Sequence, residues 1–306
     1  MRKPKVLKKG DTLGVIAPAG VVNPSELDRG MKRLDSLGFK VMPGRHVRKA
    51  YRYMAGSDRE RAEDLQEMWA DPNVSAVVCA RGGYGTARLL PLLDKRFIAR
   101  HPKILVGSSD ATALLIYLVQ QAGVVSFHGP MVAPNFGRTT STLTEEGFIK
   151  ALCSTEPVGP VRVPGIQSLR KGVARGRVVG GCLSILCSLL RTPYEPDTRD
   201  AVLLLEDVHE PPYRVDRMLT QLILAGKLDR VRGLIFGRMV DCQPQADEGF
   251  SLEEMIGEVL QDFRGPILYG LPVGHGGEQI TLPLGVEVVL DGDRGTMTVL
   301  ESGVEG

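Results

Sequence analysis

Aromatic residues are scarce: Phe, Trp and Tyr make up 5% of 306 residues, with a single tryptophan. So thin a supply argues against a base-stacking surface for single-stranded nucleic acid. Net charge is nearly absent as well, 38 Lys+Arg facing 36 Asp+Glu for a formal +2. That balance supplies no global field for nucleic acid or an anionic membrane. Cysteine is sparse, scattered and odd in number, at Cys79, Cys153, Cys182, Cys187 and Cys242, with no CxxC pair. Neither a secreted disulfide framework nor a zinc site fits this pattern, and no HExxH-like spacing suggests another metal. No apolar run approaches the roughly 18 residues of a membrane span. The basic lead Arg2, Lys3, Lys5, Lys8 and Lys9 with Ala17-Pro18-Ala19 imitates a signal peptide, but Asp11 interrupts it. Its apolar stretch, 13–16, is also far shorter than the ~7–15 residues of an h-region. The expectation is a cytoplasmic, reduced protein without cofactor or metal.

The 43% apolar content excludes a disordered chain. At about 150 residues per domain, the length suggests two domains. Strand and helix signals alternate through the first half: strands at 13–17, 39–42, 74–80 and 104–106, helices at 24–37, 57–71, 84–93 and 110–119. This order predicts an α/β fold with an open, mostly parallel sheet flanked by helices, whose ligands bind outside the carboxyl ends of the strands. The loops to watch are then 17–20, 81–85 and 107–110. Residues 154–169, rich in Pro, Gly, Val and Ser, read as a linker between an N-terminal domain (1–153) and a smaller C-terminal β/α domain (170–306). The second half predicts helices at 180–190, 214–224 and 252–259 and strands at 202–205, 234–236 and 267–269. A hairpin of 286–290 and 296–300 turns at Asp291-Gly292-Asp293.

The strongest chemical signal is Gly107-Ser108-Ser109-Asp110, where a strand runs through a glycine into a helix start. Such a strand-turn-helix context presents a serine at the top of a sheet, and the position two residues after the glycine selects Ser109 over Ser108. The Asp110 N–H, at a helix N-terminus, is then an oxyanion donor. The alternative is that Ser108, Ser109 and Asp110 only cap the helix. Among five histidines, His46 and His101 sit in charged, loop-like contexts that read as solvated surface. His128 and His209 are open candidates, and His275, flanked by Gly274 and Gly276, is the most suggestive base. Glu206 and Asp207 end a buried strand, a costly place for charge unless it is paired or functional. Arg81-Gly82-Gly83-Tyr84-Gly85 follows a strand and suits either phosphate or an oxyanion, although no complete G-x-G-x-x-G or P-loop exists.

Taken in order, Arg81–Gly85, Gly107-Ser-Ser-Asp-Ala-Thr112, His128-Gly-Pro-Met131, Leu205-Glu-Asp-Val208, Pro212-Tyr-Arg-Val-Asp-Arg217, and Gly274-His-Gly276 with Thr281-Leu-Pro-Leu-Gly285 resemble the LD-carboxypeptidase family of serine peptidases. The likeness covers nearly the whole chain. It implies a triad of Ser109 as nucleophile, His275 as base and Glu206 as the carboxylate that orients it. It further implies an oxyanion hole from the amides of Gly83 and Asp110, and a homodimer acting on muropeptide tetrapeptides. Arg81, Tyr84, Arg214 and Arg217 are the candidates for holding the anionic peptide. A branch of the family hydrolyses aminoacyl-nucleotide antibiotics with the same triad, and a ligand-binding α/β module without turnover is the rival from another class. Two positions depart from the family pattern. Ser108 stands where an aromatic residue is common, and Gly181-Cys182-Leu183-Ser184 replaces Gly-Gly-Asn-Leu at a substrate-contacting position.

Overall fold

The computed structural model describes residues 1–138, 140–161, 163–245 and 247–306. In chain order its strands are β1 (Thr12–Ile16), β2 (Lys40–Pro43), β3 (Val74–Cys79), β4 (Ile104–Gly107), β5 (Ser126–His128), β6 (Gly159–Val161), β7 (Gln167–Arg170), β8 (Val173–Cys182), β9 (Ala201–Val208), β10 (Gly233–Val240), β11 (Ile267–Gly274), β12 (Leu282–Leu284), β13 (Glu287–Asp291) and β14 (Thr296–Val299). The helices are α1 (Pro24–Ser36), α2 (Asp58–Ala70), α3 (Lys95–Arg100), α4 (Thr112–Tyr117), α5 (Thr142–Cys153), α6 (Leu183–Ser188), α7 (Pro212–Leu224) and α8 (Leu252–Val259).

Two sheets result. The first runs β12-β5-β4-β3-β1-β2 and is parallel except at β12. The second runs β6-β14-β13-β8-β9-β10-β11-β7, with a parallel centre of β8 to β11 and antiparallel edges. The central strands β3, β4 and β9 are apolar on both faces, as parallel strands covered by helices must be. Local chemistry starts the helices where the sequence predicts. The Asn23 side chain accepts the Ser25 and Glu26 N–H groups at the start of α1, and Ser57 with Glu60 forms a capping box on α2.

Three expectations are corrected. The helix predicted over 180–190 is a strand up to Cys182 and a helix only from Leu183, because Gly180 and Gly181 pair with Leu204 and Leu205 of β9. Neighbouring backbone, not local pattern, decides that segment. The helix predicted over 84–93 is a tighter 3₁₀ stretch, Thr86–Leu92, with Pro91 inside it. The segment expected as linker supplies β6 and β7, the two edges of the second sheet; Arg162 within it lies outside the described residues. The chain also returns to the first sheet late: β12 pairs with β5, and the Val6 N–H donates to the Glu305 carbonyl at 2.8 Å. One strand from the second half of the sequence, β12, thereby completes the first sheet.

Helix α1 lies against residues 132–136 so closely that a Cβ on Gly30 would fall 2.2 Å from the Val132 carbonyl oxygen. Gly30→Ala is expected to cost about 1–3 kcal/mol through overpacking, read as a lower urea midpoint at an unchanged m value.

Candidate active site

Strand β4 ends at Gly107, Ser108 continues extended with φ −153° and ψ −175°, and Ser109 turns to φ +58° before the chain enters α4. A serine in the left-handed region costs on the order of 1–2 kcal/mol. Such strain persists where the surroundings enforce it, most often at functional sites. The capping alternative does not describe this turn. Ser108 makes no side-chain capping bond, and the Asp110 carboxylate instead accepts the Thr86 N–H at 2.8 Å. Burial raises the Asp110 pKa above the usual carboxylate range, with the Thr86 contact opposing it. Asp110 is thus the tie between the serine turn and the loop after β3.

That loop holds the glycines. A Cβ on Gly82 would lie 2.6 Å from both Cβ and Oγ of Ser109, so only a glycine leaves room over this serine. The Gly20 N–H donates to the Gly82 carbonyl at 3.1 Å. Because the peptide is trans, the Gly83 N–H points the opposite way, away from Gly20. Arg61, fully buried on α2, donates to the carbonyls of Pro18 and Gly85 and pairs with Asp58. One guanidinium therefore holds the loop that contains Gly83 and the neighbouring loop at Pro18.

The second sheet supplies the acid and the imidazole. Glu206 is fully buried at the end of β9, and its Oε2 accepts His275 Nδ1–H at 2.8 Å and the His275 backbone N–H at 3.1 Å. Its other oxygen, Oε1, lies 3.4 Å from Nε2 of the equally buried His128. Burial pushes the Glu206 pKa up, yet the two histidines beside it, His128 and His275, outweigh it and hold the carboxyl at about 2. For His275, burial pulls the pKa down, while the bond and charge of Glu206, aided by Asp207, win and raise it above 6.5. Side chains alternate along a strand, so Asp207 faces the other way and accepts the N–H groups of Ser184 and Val208 at 2.8 and 2.9 Å. Of the two acids, only Glu206 meets an imidazole of the site. A side chain at position 274 would put its Cβ 2.2 Å from Glu206 Oε2, which is the reason for glycine before His275.

Ser109, Gly82, Gly83, Arg81 and His275 line one cleft of about 170 Å³, together with Asn23, Glu26, Met131, Ala133, Pro134 and Arg138. The Arg81 guanidinium donates to the Val21 carbonyl at 2.8 Å at the rim. The other candidates for holding substrate stand elsewhere. Tyr84 is exposed and packs edge-on against Tyr53, and Arg214 pairs with Glu210 at 3.5 Å. Arg217 lies over the Tyr213 ring and lines a separate groove with Arg191, Glu195 and Lys227. His46, expected as solvated, is mostly buried and bonded through Nδ1 to Asp64 at 2.9 Å. Sequence reasoning missed Asn23, Glu26 and Arg138 in the cleft, and Arg61 beneath it. Asn23 and Glu26 stand at the start of α1, and Arg61 and Arg138 fall outside every motif, so no local signal marked them.

Comparison with known proteins fits this geometry. Residues 13–129 match the family model of the LD-carboxypeptidase N-terminal domain, and residues 175–290 that of the LD-carboxypeptidase C-terminal domain. The chain belongs to the LD-carboxypeptidase family and is a serine-type peptidase. A probable murein peptide carboxypeptidase of Bacillus subtilis is 39% identical, over 99% of this chain and 95% of that protein. A murein tetrapeptide carboxypeptidase of Pseudomonas aeruginosa is 33% identical, over 92% and 94%. The structure of the microcin C7 self-immunity protein MccF in complex with aspartyl sulfamoyl adenosine superposes with a TM-score of 0.93 at 28% identity, covering 100% of both chains.

Gly82→Ala is expected to lower kcat/KM by at least about 100-fold, as a misplaced group near the reacting atoms does. The overpacking this introduces should also lower the melting temperature, so activity is compared well below the melting transition of both proteins; paired activity and thermal-melt measurements check this.

Proposed function

We propose that the protein removes the terminal D-alanine from murein tetrapeptides by cleaving an L,D amide bond through an acyl-enzyme. The observation that carries this reading is the Glu206–His275 pair opening onto the same cleft as the strained Ser109. Glu206 is ionised and accepts only, so the His275 proton sits on Nδ1 and Nε2 is left as the base. His275 Nε2 takes the Ser109 proton as Oγ attacks the carbonyl at the L-centre of the third residue. The Gly83 and Asp110 amides hold the oxyanion, a contribution of about 2.7–4 kcal/mol per donor in comparable sites. His275 then protonates the departing D-alanine nitrogen, and water activated by the same imidazole releases the tripeptide. Arg81 is the one of the three candidate arginines that reaches the cleft, and its guanidinium suits a substrate carboxylate. By family likeness, we read the enzyme as a cytoplasmic homodimer in cell-wall peptide recycling.

A second reading, hydrolysis of aminoacyl-nucleotide amides, has one observation in its favour, the close superposition on MccF. Against it, no Phe, Tyr or Trp is among the described residues lining the cleft to stack on a base, and the lone Trp69 is buried in the core.

Incubation with muropeptide tetrapeptide should yield tripeptide and free D-alanine by chromatography, while an aminoacyl sulfamoyl nucleoside is left intact. Ser109→Ala should lose at least about 10³-fold in kcat; full retention of hydrolysis would sink the serine mechanism. The base works only when unprotonated, so kcat/KM should fall as pH drops through the raised His275 pKa, placing the acid limb above pH 6.5. Glu206→Gln removes the charge that raises it. The limb should then shift to lower pH, while the rate falls by at least about 100-fold.

A further inference from the structure

We propose that His128 is a positioning residue for this reaction, its Nε2–H holding the second oxygen of the Glu206 carboxylate. The inference rests on the triad reading above and extends it to a fourth side chain. His128 and Glu206 are both completely buried. None of His128 Nε2, His128 Nδ1 and Glu206 Oε1 has a hydrogen-bond partner among the described residues, and Nε2 and Oε1 lie 3.4 Å apart. A buried carboxylate oxygen without a donor is costly, and site hydrogen bonds that are long without substrate tighten on binding.

The position of His128 explains why this residue can serve. It ends β5, where it pairs in register with Gly107, the glycine of the serine turn, and with Leu282 of β12, the strand that follows the His275 loop. One imidazole is thus tied by backbone to both the nucleophile strand and the base segment while its ring reaches the acid between them. His275 occupies Oε2 through its side chain and backbone N–H groups. His128 occupying Oε1 fixes the carboxylate plane and divides its charge between two imidazoles.

The titratable groups around this carboxylate are few. Asp207 on β9 is turned toward α6, and burial together with the charges of Glu206 and Asp207 keeps the Cys182 thiol at the end of β8 protonated. That leaves His128 and His275 to share Glu206.

The test compares His128→Leu, His128→Gln and His128→Asn by kcat/KM–pH profiles and by NMR titration of the His275 imidazole. With Leu, the undivided carboxylate charge holds the His275 proton more tightly. The titration midpoint and the acid limb both move to higher pH, and kcat falls about 10-fold or more with KM little changed. Gln, whose amide N–H reaches the place of Nε2, restores both readouts, whereas the shorter Asn does not. A folded Leu variant with wild-type kcat and a superimposable His275 titration would overturn the proposal. If the Leu variant does not fold, the Gln–Asn pair decides, and equal behaviour of those two overturns it. Retained hydrolysis by Ser109→Ala would defeat the triad instead, and the NMR titration still reads the His128–Glu206 link in that case.

Discussion

An ionised carboxylate sits in the interior of this protein with no access to water, and the arrangement of both sheets follows from keeping it there. Burying such a group costs several kcal/mol unless it is hydrogen-bonded. Each bond from a donor to a charged acceptor returns about 1.5–3 kcal/mol. Glu206 receives two from His275, and His128 stands at its remaining oxygen. The donors come from different sheets, since His128 ends a strand of the first and His275 follows a strand of the second. The charge is therefore satisfied only when the two sheets are in place against each other.

The connection between the sheets is made by chain as well as by charge. Strand β12 leaves the second half of the sequence to close the edge of the first sheet beside β5. The Cys182 N–H, at the end of β8, donates to the Thr112 hydroxyl at the start of α4 at 3.1 Å. These links converge on the same end of both sheets, the carboxyl ends of the parallel strands, where loops gather and ligands bind in α/β folds. The serine turn is built on the same principle of enforced placement. Its left-handed Ser109 is held by Asp110 reaching across to Thr86, and the glycine loop over it is held by Arg61 from below. Buried polar groups here set geometry more than they add stability, since replacing such pairs with apolar groups is often neutral.

Much of this was legible in the residue order. The buried runs of β3, β4 and β9, the helix starts at Pro24 and Ser57, and the hairpin turn at Asp291-Gly292-Asp293 each carry a local signal that the structure obeys. Where reading failed, the cause was non-local. Gly180 and Gly181 have a helix-like neighbourhood, yet β9 draws them into the sheet. The short strands β6 and β7 exist because the second sheet has edges to fill, which no property of 154–169 announces. Asn23, Glu26 and Arg138 face the cleft by virtue of where α1 and residues 132–136 pack.

By itself the sequence determined the class of fold, the serine in its turn, the glycine loop and the two halves that hold the candidate acid and base. Those features depend on residue type and spacing within a dozen positions, which is the range over which strand, turn and cap preferences act. The family likeness had pointed to Glu206, but only the tertiary structure shows that it, and not Asp207, faces an imidazole of the site, because neighbours on a strand point to opposite faces and composition is blind to which face that is. It also brought His128 to that carboxylate and left Arg214 and Arg217 outside the cleft. Those outcomes depend on how one sheet lies against another, a relation between residues far apart in the chain, and no local stretch of sequence carries it.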